Sequence, residues 1–305
     1  MDFLTRLKNG PVLVADGAMG TMLQAAGLPP GTPGEVWVLK RPESVAEVHQ
    51  AYIEAGAELI LTCTFGGTRA RLASAGLADR VAEVNRRAVE IVCQVATGRA
   101  YVAGDIGPLG ELLAPLGQRT YEEAVELFAE QAAVLATAGV DVLYIETMSS
   151  LEEVQAAVEG ARRVAPDLPL TVTLSFDTKG RTNMGVRPEQ AALALLELGV
   201  TAFGANCGAT LEMTEEAVRR MQATAPEAIL IAKPNAGLPR MADDGFVYDG
   251  TPALMAEYAR HFVDLGARIV GGCCGSTPAH IQAIAQAVHR PDAEGQRPAV
   301  GVSRH

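Results

Sequence analysis

Three cysteines in this 305-residue chain have the neighbours and positions of metal ligands. Cys273 and Cys274 are adjacent, lie between glycines, and follow the apolar pair Ile269-Val270. Cys207 also ends a short apolar run and also precedes a glycine. Three cysteine ligands that leave one coordination position open are typical of a catalytic zinc rather than a structural one. The sequence therefore predicts that these three thiols bind Zn²⁺.

Two other interpretations of the three cysteines are open. Free cysteine is among the most buried residue types, so all three could be small core side chains. We expect that role for Cys63 and Cys93. Adjacent cysteines can also form a strained disulfide and act as a redox switch. The flanking glycines and the matching positions at the ends of apolar runs favour zinc over both.

Two acidic residues follow other apolar runs. Glu146 comes directly after Leu143-Tyr144-Ile145, and an ionisable residue at such a point is seldom there for packing. Asp16 ends the first apolar run, where the alternative role is a turn aspartate that bonds to its own backbone. Two carboxylates facing a zinc-thiolate centre suit a substrate that carries an ammonium group. The backbone amides of Gly17 and Ala18 could then bind the carboxylate of that substrate.

Two uncharged polar residues occupy equivalent positions along the chain. Thr64 and Asn206 each follow an apolar run, and they are candidate donors to the substrate or supports for the zinc ligands. An ordinary loop role is the alternative for both. His49, His261 and His280 are expected in helices and are not predicted to be ligands.

Eight short apolar segments alternate with longer segments of helical period, which is the pattern of a parallel α/β sheet. Eight such units favour an α/β fold of the (β/α)₈ TIM barrel type, with a single domain, over an open sheet. At roughly 30 residues per unit, Cys207 and Cys273 are two units apart and share the carboxyl face where such barrels keep their active sites. The predicted strands are Val12–Ala15, Leu59–Thr62, Tyr101–Gly104, Val142–Ile145, Leu170–Leu174, Ala202–Ala205, Ile229–Ala232 and Arg268–Val270.

The helices have recognisable start and stop signals. A hydroxyl three residues before a glutamate predicts capping boxes at Ser44, Thr120 and Ser150. Pro252 and Pro278 suit the first position of a helix. Glycine is expected just beyond helix ends, at Gly56, Gly139, Gly199 and Gly266.

Two connections of this barrel are long. Residues 27–40 follow the first strand and are rich in proline and glycine, so we expect a lid or a rim loop. Residues 235–249 follow the seventh strand and contain a hairpin-like turn at Asp243-Asp244-Gly245. We place the barrel in residues 1–289 and interpret residues 290–305 as a linker-like or frayed tail.

Charge and composition exclude several classes of partner. The net charge of −11 argues against binding to nucleic acid or to an anionic membrane. No stretch approaches the roughly 18 consecutive apolar residues of a membrane span, and the amino terminus has no signal-peptide core. Five cysteines, an odd number, fit reduced thiols. We therefore expect a cytoplasmic protein.

Six motifs together resemble the homocysteine S-methyltransferase family. They occur in order and at similar spacing from about Leu13 to about Val288, and the chain is most similar to the homocysteine-binding module of cobalamin-dependent methionine synthase. The motifs are Asp16-Gly17-Ala18-Met19-Gly20-Thr21, Gly104-Asp105-Ile106-Gly107-Pro108, Ile145-Glu146-Thr147, Gly204-Ala205-Asn206-Cys207, Pro234-Asn235-Ala236-Gly237 and Gly271-Gly272-Cys273-Cys274-Gly275-Ser276-Thr277-Pro278.

The resemblance implies a zinc-containing (β/α)₈ barrel that transfers a methyl group to homocysteine and so forms methionine. It makes the three cysteines the zinc ligands and places Asp16, Thr64 and Glu146 near the amino-acid end of homocysteine. The chain has no Asp-x-His-x-x-Gly cobalamin motif, so methylcobalamin would be carried by another domain or protein. The alternative donors are small molecules, S-methylmethionine or betaine. Trp37 does not align with the tryptophan of betaine-using relatives, which disfavours betaine.

A second hypothesis belongs to a different class of protein. A non-catalytic zinc or thiol-redox binding protein would keep the three cysteines but would not respond to homocysteine. A metal-free barrel enzyme is a third possibility, and in such an enzyme loss of Cys207 would be harmless.

Overall fold

The computed structural model describes residues 1–177, 179–242 and 245–289. Within them, eight parallel strands form one sheet in the order β1-β10-β7-β6-β5-β4-β3-β2, and β8 and β9 form a separate antiparallel hairpin. The strands are β1 (Leu13–Val14), β2 (Leu59–Leu61), β3 (Tyr101–Ile106), β4 (Val142–Met148), β5 (Leu170–Leu174), β6 (Ala202–Cys207), β7 (Leu230–Pro234), β8 (Pro239–Ala242), β9 (Gly245–Tyr248) and β10 (Ala267–Val270).

The sheet closes into a barrel between its first and last strands. The amide of Glu58 donates to the carbonyl of Val14 at 2.7 Å, and the amide of Asp16 donates to the carbonyl of Leu59 at 3.0 Å. These bonds join β1 to β2 and so close the eight-stranded sheet on itself. The predicted single-domain (β/α)₈ TIM barrel is confirmed, and each predicted strand end lies within three residues of the observed one.

Helices follow the strands and cover the outside of the barrel. The described part of the chain contains α1 (Phe3–Asn9), α2 (Met19–Ala25), α3 (Glu35–Lys40), α4 (Pro42–Glu54), α5 (Arg69–Ala73), α6 (Val81–Ala96), α7 (Tyr121–Ala138), α8 (Leu151–Val164), α9 (Pro188–Glu197), α10 (Leu211–Thr224), α11 (Pro252–Asp264) and α12 (Pro278–His289), with a 3₁₀ turn at Ala78–Arg80. None of these helices is both long enough and apolar enough to span a membrane.

The core has two layers because successive strand residues point to opposite faces of the sheet. Leu13, Leu59 and Ile269 belong to the cluster inside the barrel, which α1 seals at one end with Phe3 and Leu7. The neighbouring strand residues face outward and pack against the helices in a larger cluster. Each fully buried leucine or isoleucine stabilises the fold by about 1.5–3 kcal/mol. The strands thus form a rigid frame for whatever follows their carboxyl ends.

Most helix boundaries follow the predicted signals. Thr120 forms the predicted capping box with Glu123, and the two predicted prolines begin α11 and α12. The predicted box at Ser44 is wrong because α4 begins two residues earlier at Pro42, which leaves Ser44 buried in its first turn. A proline at the first helical position outweighs the capping hydroxyl there. The glycines expected beyond helix ends all have positive φ, namely Gly56, Gly139, Gly199 and Gly266.

The two long connections lie at the carboxyl end of the barrel, and we call the loops at this end the rim. Residues 27–40 are only partly a loop, because residues 35–40 form α3. In the second connection, β8 and β9 pair as an antiparallel hairpin, as the turn residues predicted. Two of those turn residues, Asp243 and Asp244, and the predicted tail at residues 290–305 lie outside the described residues.

Candidate active site

A cavity of about 560 Å³ opens at the rim of the barrel. Its wall contains seven of the nine residues predicted from the sequence to form the site, namely Asp16, Gly17, Ala18, Glu146, Cys207, Cys273 and Cys274. Side chains from residues far apart in sequence meet here because the carboxyl ends of all parallel strands share one face of the barrel. Thr64 and Asn206 are close by but do not line the cavity.

The three cysteines form one cluster on the cavity wall. Their Sγ atoms all lie within 4.8 Å of one another, and each residue is half-buried. Cys207 is the last residue of β6, and the adjacent pair follows β10, with β7 between them. The backbone of β7 holds the pair in place, because the amide of Cys273 donates to Pro234 at 2.7 Å. The cluster has the donor set and spacing to hold a metal ion with one position left for a ligand from outside the protein.

The glycines beside the cysteines are required by close packing and by backbone shape. A Cβ on Gly271 would lie 2.9 Å from Cβ of Ala15, so a side chain there would push the first strand away. Gly275 has φ of 76°, and Tyr248 packs directly against it. Cys207 itself has φ of 58°, a conformation that is costly for a residue with a side chain. Backbone strain of this kind concentrates at functional sites.

The surroundings of the thiols favour their protonated forms when no cation is present. The pKa of Cys207 is raised to about 12. Its hydrogen bond with Cys273 lowers the pKa, but its hydrogen bond with Cys274 and its burial together raise the pKa by more. The pKa of Cys274 is also raised to about 12: its hydrogen bond with Cys207 lowers the value, and Cys273 and burial outweigh that effect. Three thiolates at this spacing would repel one another, so a metal ion is needed for all three to ionise.

Asn206 links the cysteine cluster to the acidic side of the cavity. Its Nδ2 donates to Oγ1 of Thr147 at 2.7 Å and to Oε2 of Glu146 at 3.4 Å, and it lies 3.8 Å from Sγ of Cys273. Its Oδ1 accepts from the amide of Thr147 at 2.9 Å. Because Asn206 is fully buried, it positions Glu146 and Cys273 from behind the wall.

Thr64 is fully buried behind the same wall. Its Oγ1 donates to the carbonyl of Asp105 at 2.7 Å and lies 2.6 Å from Oγ1 of Thr62. Of these two threonines, Thr62 lines the cavity and Thr64 does not. The sequence identified the correct strand end, but it could not show which of the two residues lines the cavity because the chain turns directly after β2.

Asp16 is paired with a residue that the sequence analysis missed. Nζ of Lys233, in β7, lies 3.2 Å from Oδ1 of Asp16, and both side chains are at most 4% exposed. Oδ2 of Asp16 accepts from the amide of Leu61 at 2.9 Å. Burial by itself would lower the pKa of Lys233, but the charges of Asp16 and Glu146 raise it above its usual value. Lys233 is therefore a buried cation at the base of the cavity.

Two further carboxylates line the cavity and were also missed. They are Asp105, at the end of β3, and Glu35, at the start of α3. Burial raises the pKa of both carboxyl groups, and the charge of Glu146 raises that of Asp105 further. Burial likewise raises the pKa of Glu146. The rule that identified Glu146, an ionisable residue at the end of a buried strand, also applies to Asp105 and Lys233 and would have found both.

Several other predicted roles are settled by burial. Cys63 is buried as expected, but Cys93 is exposed on α6, so the core role predicted for it is wrong. The amphipathic period of α6 turns that position towards solvent. Trp37 is buried on α3 beneath Arg41 and does not line the cavity. His280 lies in the first turn of α12, where Nε2 is 2.8 Å from the carbonyl of Gly250.

The chain is similar to known proteins over most of its length. The model of a family described as homocysteine S-methyltransferase matches residues 13–288. The methionine synthases of Mycobacterium leprae and Mycobacterium tuberculosis are each 34% identical to the chain. These alignments cover 92% and 91% of this chain but 24% of each relative, so the chain spans about a quarter of their length.

Solved structures of similar length share the whole fold. The metallated form of the homocysteine methyltransferase MmuM from Escherichia coli superposes with a TM-score of 0.78 at 25% identity, over 92% of this chain and 99% of that one. The oxidized form of MmuM gives a TM-score of 0.75 at 26% identity, over 93% and 99% of the two chains.

Proposed function

Because the chain belongs to the homocysteine S-methyltransferase family, we propose that it transfers a methyl group to the thiol of homocysteine and forms methionine. The observation that carries the proposal is the position of the cysteine cluster, whose Sγ atoms lie within 4.8 Å of one another on the wall of an acidic cavity. A thiol substrate with an ammonium group would meet both features at once.

We propose that Cys207, Cys273 and Cys274 hold Zn²⁺. A cluster of three thiols, to which the described part of the chain adds no fourth donor, fits this metal, and the solved structures of MmuM include a metallated form. Bound zinc supplies a Lewis acid that lowers the pKa of a coordinating thiol. A free thiol has a pKa of about 8.5, so without help only a few per cent is thiolate at pH 7. We also propose a reducing, cytoplasmic location, because the cluster can bind metal only while its thiols are reduced.

The chain's own residues bind and orient the amino acid. Lys233 neutralises Asp16, Asn206 holds the side chain of Glu146, and Glu146 faces the cavity. The loop at Gly17 and Ala18 lines the same cavity, and the amide of Ala18 donates to Oγ of Ser276 at 3.2 Å. This bond ties the first loop to the cysteine loop, and it occupies the amide of Ala18 that was expected to bind the substrate carboxylate. The substrate carboxylate is proposed to lie along the first loop, with Thr64 supporting the neighbouring wall after β2 from behind.

The reaction is a nucleophilic substitution at carbon. The sulfur of homocysteine forms a bond to the methyl carbon, the bond between methyl and donor breaks, and its electron pair leaves with the donor. The thiol proton is lost before the attack. The chain keeps the sulfur and the donor aligned, and such alignment supplies a large part of the rate in two-substrate reactions.

We propose that the donor is methylcobalamin held by another domain or protein, as in a methionine synthase. The support is the 34% identity to two methionine synthases over most of this chain. A stand-alone enzyme that uses a small donor is the second candidate, and the observation that favours it is the 99% coverage of the MmuM chain.

Turnover assays test the function and the donor together. Zinc-loaded protein and L-homocysteine are mixed separately with methylcobalamin, S-methylmethionine and betaine, and methionine is measured. We expect methionine from methylcobalamin. Methionine from a small donor alone would overturn the cobalamin assignment, and no methionine from any donor would count against the proposed reaction.

A matched pair of variants tests the role of the metal. Cys207→Ser should lose both zinc and turnover, whereas Cys93→Ser, which changes an exposed thiol on α6, should lose neither. X-ray absorption at the zinc edge should also show a change in sulfur coordination when homocysteine is added. Full zinc content without any response to homocysteine would support the non-catalytic zinc protein instead.

A further inference from the structure

The carboxylates of the cavity differ in how far the protein itself satisfies them. Asp16 has a partner on each oxygen, Lys233 on Oδ1 at 3.2 Å and the amide of Leu61 on Oδ2 at 2.9 Å. Its charge is already balanced inside the protein. Asp16 therefore has little capacity left for an ammonium group, although it is the acid that the motif pattern singles out.

Asp105 has the opposite character. Its side chain is only 5% exposed and lines the cavity, yet Oδ1 has no hydrogen-bond partner among the described residues. A buried carboxylate oxygen without a partner is costly, and folded proteins rarely retain one. Because Oδ1 itself is enclosed, a ligand in the cavity would approach this carboxylate through its other oxygen, Oδ2, and its charge would offset the cost of burial.

The position of Asp105 is rigid. Its amide donates to Oγ1 of Thr62 at 3.0 Å, and its carbonyl accepts from Oγ1 of Thr64 at 2.7 Å and from Nε2 of Gln131 at 3.2 Å. These bonds fix the backbone of Asp105 at the end of β3. The carboxyl group thus starts from a fixed point on the barrel, beside the cavity that it lines.

Asp105 and Glu146 face the same space. Asp105 pairs with Tyr144 across β3 and β4, and Glu146 is two residues beyond Tyr144, so both acids lie on the inner face of the sheet. Among the described residues that line the cavity there are four acids and two cations, Lys233 and Arg71. The acidic excess favours a cationic group of the substrate.

We propose that Asp105 is a specificity-determining residue that binds the α-ammonium group of the substrate together with Glu146, while Asp16 serves to hold Lys233. This inference rests on the proposed function, because homocysteine is the ligand that supplies the ammonium group. It assigns a separate task to each acid. Asp105 selects amino-acid thiols, and the Asp16–Lys233 pair shapes the base of the cavity.

The test compares two thiols that differ only in the ammonium group. L-Homocysteine and 4-mercaptobutanoate are titrated calorimetrically into zinc-loaded wild-type protein and the isosteric variant Asp105→Asn. Loss of a charged hydrogen bond should weaken homocysteine binding by about tenfold to a hundredfold. Binding of 4-mercaptobutanoate should change by less than about threefold, since it makes no such bond.

Controls separate this role from a structural one. Glu35→Gln removes a negative charge from the same cavity, but that carboxylate already accepts from the amide of Gly66, so selectivity should be retained. The melting temperature of Asp105→Asn should not fall, because the change removes an unpartnered buried charge. If Asp105→Asn does not fold, Asp105→Ala should show the same loss of selectivity.

The outcomes distinguish the inference from the function on which it rests. If wild-type protein binds homocysteine and Asp105→Asn keeps the wild-type preference for it over 4-mercaptobutanoate, the inference is overturned and the function stands. An equal loss for both thiols also overturns it. If wild-type protein binds neither thiol, the proposed function fails and the inference fails with it.

Discussion

Replacing Lys233 by methionine should destabilise the protein strongly although no apolar contact is lost. The methionine side chain is similar in length to that of lysine, so the change removes the positive charge and leaves Asp16 buried without its partner. The two side chains are 3% and 4% exposed, so water cannot replace the lost ammonium group. Breaking a buried pair in this way costs about 3–5 kcal/mol. The total free energy of unfolding of a protein is only about 5–15 kcal/mol.

The loss should depend on pH in a defined direction. Burial raises the pKa of Asp16, and the charge of Lys233 opposes that rise. In Lys233→Met the folded state therefore holds its proton at pH values where the unfolded chain, with a pKa of about 3.9, has released it. Protons bound more tightly in the folded state make stability fall as pH rises. The deficit of the variant should grow from about pH 4 towards neutral pH.

Urea denaturation of the metal-free protein, followed by circular dichroism, measures these differences. The matched control is Arg220→Met, which breaks a 2.7 Å pair with Glu189 that is partly exposed and should cost at most about 1 kcal/mol. The double variant Asp16→Asn/Lys233→Met should recover much of the loss, because neither charge is then unpaired. A deficit of Lys233→Met below about 1 kcal/mol at pH 7, or no recovery in the double variant, would refute this reasoning.

Three further predictions concern the walls of the cavity. Cys273→Ser should weaken zinc binding by more than about a hundredfold, because loss of a residue that only supports a ligand already costs up to about that much. Metal competition assays measure the affinity, and a zinc affinity equal to that of Cys93→Ser would contradict the ligand role. Asn206→Ala should lower the free energy of unfolding by about 1–3 kcal/mol and raise KM for homocysteine, because the backbone amide of Thr147 and the carboxylate of Glu146 each lose a partner. Denaturation measures the first effect and steady-state kinetics the second, and an unchanged KM would count against a positioning role for Asn206. Burial raises the pKa of Asp105, so the contribution of this group to stability should fall as pH rises above about 4, and that part of the pH dependence should be absent in Asp105→Asn. Stability curves of the two proteins that run parallel from pH 5 to 8 would be inconsistent with it.

The fold was predictable from the chain because barrel strands are buried on both faces. Segments such as Leu59–Leu61 are continuous apolar runs bounded by helix caps and glycines, so their number and spacing imply eight βα units. The failures occurred where two local signals compete, as at Ser44, where a nearby proline began the helix instead. The exposed side of α6 at Cys93 was missed because a single cysteine carries no strong preference within a helical period.

The sequence by itself determined which residue types stand at the strand ends, and this placed Cys207, Cys273, Cys274, Asp16 and Glu146 on one face. Closure of the barrel decided which of these groups satisfy one another. Lys233 is 217 residues from Asp16 along the chain but 3.2 Å away in space, and the described residues leave one oxygen of Asp105 without a partner. Such pairing depends on strand order, register and burial, which arise only when distant strands pack together. The tertiary structure therefore decided which carboxylate is neutralised inside the protein and which remains available to a ligand.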